Sequence, residues 1–459
     1  MSDQTAPAPS ASSVAAGSPP GVSLSALAGY AAPQFALAAL YFPVITFLVP
    51  YYDTELGLPL LALGAVMVAI RLLDAVTDPL MGAVSDATRS RFGRRKIWLI
   101  IATPLVCLSV WMAFTPPDDA GLGYFAIWVT ALSLSWTVAI TPYFAWGGEI
   151  ASDYRGRARV AGWRETTTLL GTLAAAVVYG SAPDDPATGL ERLAWTVLIA
   201  LPLGVALAVW LAPSPPQRGR SAPPLSLAAW RAAWSEMMAN EAFRRFMASH
   251  IANSAANGLP PVLILYFITV VLQGTTQDFV LSFLIYLACA IIGAPIWSQL
   301  AQRGAKHRVW GAAMLYAMAV FAAVPLLGAG DVTAFLVISG LTGLAYGADV
   351  VLPPAIQADV VDADTAVSGA DRTGVYFALL SVVLKGASGL AAGAALVALG
   401  AAGFEADGEN GALALNTLVA LYAVIPILLK GLAVWLIWNF PIDAAAQAEL
   451  KARIDAALL

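Results

Sequence analysis

Apolar residues run along this chain in long blocks, separated by short polar or Gly/Pro-rich breaks, and no block alternates with a period of two. A helix needs about 20 such residues to cross a hydrocarbon layer of about 30 Å. The alternation expected of a membrane barrel is missing. Breaking the chain at its polar clusters predicts twelve spans. The first six fall at 24–50, 58–86, 97–115, 122–150, 161–182 and 192–212. The second six fall at 244–272, 277–301, 308–329, 332–358, 373–401 and 413–440. The predicted class is an all-α membrane protein with twelve transmembrane helices.

Composition agrees. Of 459 residues 59% are hydrophobic and 12% charged, and mean hydropathy is +0.75; soluble domains carry about 25% charged residues. The first 22 residues, Ala/Pro/Ser-rich without Lys or Arg, lack the basic start of a secretory signal and read as a disordered cytoplasmic tail. Cys107 and Cys289 lie inside apolar spans, so no disulfide framework is implied.

Positive charge is one-sided. Arg89, Arg91, Arg94, Arg95 and Lys96, then Arg155, Arg157 and Arg159, then Arg218 and Arg220, then Arg303, Lys306 and Arg308 fall in loops on one face. The opposite loops at 116–121, 183–191, 273–276, 330–331 and 402–412 hold no Lys or Arg, and Arg192 alone stands at that edge. The excess of basic residues in cytoplasmic loops then places both termini in the cytoplasm, in a multi-pass inner (plasma) membrane protein.

The halves echo each other. GAVSDATRSRFGRRK follows span two and GAPIWSQLAQRGAKHR follows span eight; an acidic segment closes spans four and ten. Two pseudo-symmetric six-helix bundles are expected, at 23–212 and 244–441, joined by a cytoplasmic linker at 213–243 and followed by a tail at 442–459. Residues 226–239 suit an amphipathic helix on the membrane face. Such a layout suits alternating access to a site near the midplane.

Span two carries the most informative residues. In RLLDAVTDPL, Arg71, Asp74 and Asp78 share one helical stripe. The two carboxylates stand about 6 Å apart along the axis, close enough to share one ion. Each charge costs roughly 3 kcal/mol at mid-membrane. A structural Arg71–Asp74 pair accounts for one acid and leaves the other needing a cation: Lys385, a bound Na+ or a proton. Pro79 loosens the helix beside them, and Gly82 permits close helix approach. His250 and His307 show no metal spacing, and no catalytic triad or phosphate loop is present, so enzymatic activity is not expected.

RLLDAVTDPLMGAVSDATRSRFGRRKIW resembles the signature of the glycoside–pentoside–hexuronide:cation symporters, the melibiose-permease-like branch of the major facilitator superfamily. WTVAITPYFAWGGEI and ADVVDADTAVSGADRTGVYFALLSVVLKGASG resemble that family's span four and its span ten–eleven region. The resemblance implies the major facilitator fold and import by cation-coupled symport. Asp74 and Asp78 become the cation carboxylates, with Thr77 and Thr137 as further oxygen donors and Lys385 as a neighbouring cation. Oxygen ligands suit Na+ as the bound metal ion, and the same acids suit H+; no other cofactor is expected. Arg164 matches, one residue out of register, an arginine near the sugar.

Two departures bear on the solute. Melibiose permease holds its galactoside with carboxylates at positions that are Ala38 and Ile140 here. A glycoside, pentoside or uronide bound differently is one reading. A lysolipid or other amphiphile is the alternative, since a vertebrate lysolipid symporter is similar to the same family. Gln34, Tyr143, Arg164, Asn253, Asn257 and Asp349 are the candidate substrate residues, with interhelical hydrogen bonding as the plainer role for Gln34 and the asparagines. Asp349 either faces the solute or pairs with Lys385. Asp86, Arg89, Arg94 and Arg95 are a candidate cytoplasmic gate, or only topology determinants. Lys430 has no evident role. The expected partners are a small-molecule solute, a coupling cation and the bilayer, with no nucleic acid, for a monomer.

Overall fold

A computed structural model describes residues 22–150, 154–183, 185–214, 234–235, 237–368, 373–406 and 408–442. The expected tails at 1–22 and 442–459, apart from Val22 and Ile442, and most of the 213–243 linker, including much of the suggested amphipathic helix, lie outside them.

Twelve long helices are described, one for each expected span. In order they are Leu24–Thr46, Leu60–Ala87, Lys96–Phe114, Leu122–Ile150, Tyr154–Gly180, Pro186–Leu211, Glu241–Val271, Thr276–Arg303, Lys306–Phe321, Val332–Ser368, Thr373–Ala401 and Ala412–Ile437. Eleven contain a window apolar enough to cross a membrane. Span five, Tyr154–Gly180, has the length but also carries Arg155, Arg157, Arg159, Arg164 and Glu165.

Four boundaries differ from the expectation by six residues or more, one of them the end of span nine, at Phe321 rather than 329. Span five starts at Tyr154 rather than 161, span six at Pro186 rather than 192, and span ten runs on to Ser368 rather than stopping at 358. Apolar content marks the hydrocarbon layer, and a helix does not end there if its backbone stays paired. Asp185 shows the real start of span six: its carboxylate accepts from the Thr188 backbone N–H at 3.0 Å, with Pro186 opening the helix. Pro79 leaves span two helical from Leu60 to Ala87.

Glycines set the closest helix approaches. Gly29 and Gly204 bring spans one and six together, and Gly293, Gly343 and Gly347 bring spans eight and ten together, each position leaving no room for a Cβ. Such contacts replace the hydrophobic drive that is absent between helices in lipid.

The two halves share a buried core on one face. One buried core contains spans of the first half together with Tyr266, Phe267, Phe279, Phe335 and Leu418 from the second. These lie toward the loops that lack Lys and Arg. There Phe42 stacks on Phe283 at 4.3 Å, Phe47 meets Phe279 edge-on at 5.2 Å, and the Tyr266 hydroxyl donates to Asp53 at 3.0 Å. A second core, with Phe243, Phe246, Trp310, Leu352 and Ile437, belongs to the second half alone and lies toward the basic loops.

Candidate functional site

The stripe of span two is brought against spans four and eleven. Arg71 donates to Asp74 Oδ2 at 3.0 Å, and the Ser133 hydroxyl of span four donates to Asp74 Oδ1 at 2.6 Å. One helical turn on, Thr137 donates to Asp78 Oδ1 at 2.8 Å, and Lys385 of span eleven donates to Asp78 Oδ2 at 2.7 Å. Asp74 is buried and Asp78 half-buried. Thr77 lies between them with its buried Oγ1 unpartnered. Each acid thus has one cation and one hydroxyl.

The seam between spans two and eleven is built for this approach. Gly389 lies under the Arg71 side chain, where an added Cβ would stand 2.5 Å from Cδ. Gly393 faces Val68, and Gly64 faces Leu396 and Val397 in the same way. Span eleven therefore presents backbone to span two at these positions, and among its described residues Lys385 reaches across to the carboxylates.

A cavity of about 530 Å³ lies beyond, between the two halves and into the second. Its walls are mostly apolar, with Phe42, Phe279, Phe283, Met318, Phe321 and Phe335 among them. Its ionic groups are Glu165, Asp349 and Lys430. Asp349 is held by Trp310 at 2.6 Å on Oδ1 and by Asn257 at 3.0 Å and Lys430 at 3.2 Å on Oδ2. Lys430 also donates to Asn253 at 2.7 Å. The partner of Asp349 is therefore Lys430, and Lys385 is engaged with Asp78; this gives Lys430 the role it lacked in the sequence.

The remaining substrate candidates divide. Asn257 and Asp349 line the cavity, with Asn253 one layer behind. Arg164 donates to Glu165 at 2.7 Å and lies over the Phe144 ring at 4.3 Å. Tyr143 is fully buried inside the first half, stacked on Tyr30 at 4.7 Å and donating to the Tyr30 carbonyl at 2.9 Å. Gln34 is buried with its Oε1 unpartnered and is not among the residues lining the cavity. At Ala38, span five comes so close that a Cβ on Gly171 would stand 3.0 Å from the Ala38 Cβ.

The gate candidates form a clamp within one half. Arg95 binds Asp86 and Ser85 of span two and Glu149 of span four, the last at 2.7 Å, and Arg94 binds Glu149 at 2.6 Å. Arg89 is exposed. The second half repeats the design, Lys306 binding Asp359 of span ten at 2.8 Å. In both halves a cation from the loop after the second helix grips an acid of the fourth. These pairs hold each half together and do not cross between them.

Residues 29–444 match the MFS/sugar transport protein family. The chain belongs to that family. It is a multi-pass membrane transporter with the major facilitator fold, not an enzyme, as the span-two motif implied. It is 27% identical over 409 residues to the inner membrane symporter YicJ of Escherichia coli, covering 87% of each chain. It is 23% identical to the sodium-dependent lysophosphatidylcholine symporter 1 of Xenopus tropicalis, covering 83% of this chain and 80% of that one. Among solved structures, a bacterial homologue of the lysosomal transporter Spinster, inward-facing and unoccupied, superposes with a TM-score of 0.65 at 14% identity, covering 95% of this chain and 99% of that one.

Four residues that the structure brings to the candidate site or the clamp were not singled out in the sequence. Ser133, Trp310 and Glu149 are ordinary in composition and matter through contacts across helices. Glu165 was within reach: it is an acid in an apolar span beside Arg164, and the rule that flagged Asp349 applies to it equally.

Proposed function

We propose that this transporter is a cation-coupled symporter importing a small organic solute, with Na+ or H+ bound at Asp74 and Asp78. One observation carries the reading: Asp78 is gripped by Thr137 from its own half and by Lys385 from the other. A cation arriving between the acids competes with Lys385, so binding at this site changes a contact between the halves. That is the differential affinity between states that coupling requires. The basic loops face the cytoplasm in this reading, and the two six-helix halves rock about the loaded site.

Solute-free protein reconstituted in liposomes, with Na+ and pH gradients imposed separately, tests it. Uptake driven by one gradient and lost in both Asp74→Asn and Asp78→Asn is expected. Gradient-driven accumulation retained by both variants overturns the cation assignment.

A glycoside, pentoside or uronide is the first reading for the solute. The apolar cavity walls, together with Ala38 and Ile140, favour an amphiphile such as a lysolipid as the second. Competition for uptake by lysolipids but not by glycosides supports the second reading; the reverse pattern removes it.

A further inference from the structure

Asp349 and Lys430 have no part in the coupling described above, yet both line the cavity in the second half. Their side chains are 9% and 14% exposed. A buried ion pair is weak support for a fold, because apolar residues of similar volume do as well or better in its place. Each charge is also costly within a membrane span. Stability alone therefore does not explain the pair.

The second half repeats the acid site of the first with one change. Asp78 gives one oxygen to Thr137, a neutral donor of its own half, and the other to Lys385. Asp349 gives Oδ1 to Trp310, also a neutral donor of its own half, and Oδ2 to Lys430 at 3.2 Å, with Asn257 beside it at 3.0 Å. The change is the origin of the lysine. Lys385 comes across from the opposite half. Lys430 stands on span twelve, and Ala433 and Val434 of that span share a buried core with Trp310 and with Ala348 and Leu352 of span ten. Rocking of the halves changes the Lys385–Asp78 distance and leaves the Lys430–Asp349 distance alone.

The Lys430 ammonium is held as a small free cation would be. It donates to the Asn253 amide oxygen at 2.7 Å and to the Asp349 carboxylate. Hard oxygen donors carrying one negative charge between them suit a monovalent alkali or ammonium ion. Because Asp349 and Lys430 both line the cavity, a cation in the cavity reaches the same place.

We infer that the second half holds a second cation site, formed by Asp349 and Asn253 with Asn257 positioning the carboxylate, and that Lys430 fills it as a tethered cation that does not exchange. Once that side chain is cut back, the site takes a monovalent cation, either an alkali metal ion or a primary alkylammonium. The charge of the second half is then constant through the cycle, and the first half alone exchanges a cation. The count of exchangeable cations rests on the symport reading above; the second site itself does not.

The test is chemical rescue, since n-propylammonium reproduces the part of the side chain that Lys430→Ala removes, from Cγ to Nζ. Purified wild type and variants are titrated with n-propylammonium, Na+, K+ and choline at constant ionic strength, and the thermal midpoint is read. Lys430→Ala is expected to gain about 2–4 °C from n-propylammonium over choline, in a saturable manner. Wild type and the charge-neutral Lys430→Ala/Asp349→Asn are expected to show no such gain. Asp78→Asn/Lys430→Ala is expected to keep the n-propylammonium response while losing the wild-type response to Na+ or pH, so failure of the first site and failure of the second read differently. A Lys430→Ala protein that answers n-propylammonium no more than choline overturns the inference. So does one that cannot be recovered folded with n-propylammonium present throughout purification while the double variant folds. More than one Na+ bound per wild-type chain at saturation overturns it as well, whatever the variants do.

Discussion

Lys385 Nζ lies 2.7 Å from Asp78 Oδ2, so an acid of span two is neutralised by a base from the opposite half of the molecule. Its neighbour Asp74 is neutralised from within its own helix by Arg71 at 3.0 Å. Only the first of these pairs links the motion of the halves to the charge state of the site.

Replacing Lys385 with Met is therefore expected to separate binding from coupling. With the competing ammonium gone, cation affinity should rise by on the order of tenfold while gradient-driven accumulation is lost. Isotopic Na+ binding, or proton release on binding, measured beside uptake checks both halves of the statement. Unchanged affinity would show that Lys385 is not in competition with the cation.

Ser133 supplies one of the two neutral hydroxyls of the site. Ser133→Ala removes a hydrogen bond to a charged group, worth about 1.5–3 kcal/mol. A cation affinity weaker by on the order of tenfold or more, with little change in solute affinity measured at saturating cation, is the expected result in a binding titration.

Gly389 has no space for a side chain beneath Arg71. Gly389→Leu should push Arg71 off Asp74 and part the seam, costing about 1–3 kcal/mol as an overpacked contact. A lowered thermal midpoint together with slowed uptake checks it, and Gly386→Ala, at a position with open space around it, serves as the control expected to change neither.

The face without basic loops offers a direct test of alternation. A Cβ built on Gly180 stands 3.4 Å from the Val280 Cβ, at the short edge of disulfide geometry, across the two halves. Gly180→Cys/Val280→Cys, in a background with Cys107 and Cys289 replaced, is expected to crosslink on oxidation and stop transport, with recovery on reduction. Full transport by the oxidised protein would show that this face does not open.

Much of this was legible in the sequence because charge inside an apolar run is costly enough to mark itself. Arg71, Asp74, Asp78 and Lys385 stood out for that reason, and the structure places all four at one seam. The partner of Asp349 was not legible, since Lys385 and Lys430 are equally plausible until the helices are packed. Ser133 and Trp310 left no signal, because serine and tryptophan are ordinary in membrane helices and only their neighbours give them work. Helix ends were misplaced where, as in span five, the helix continues beyond its apolar part.

The rings that close one face also set a resting position. Phe42 on Phe283 and Phe47 against Phe279 bury aromatic surface that must be parted before that side can open. Among the described residues, the buried core at the basic face is built from the second half alone. Packing on that face therefore favours one end of the cycle. Ligands shift that balance only by the difference between their affinities for the two ends. Trimming the stack would move the starting population without touching either binding site, and so would change how steeply uptake answers to the cation gradient.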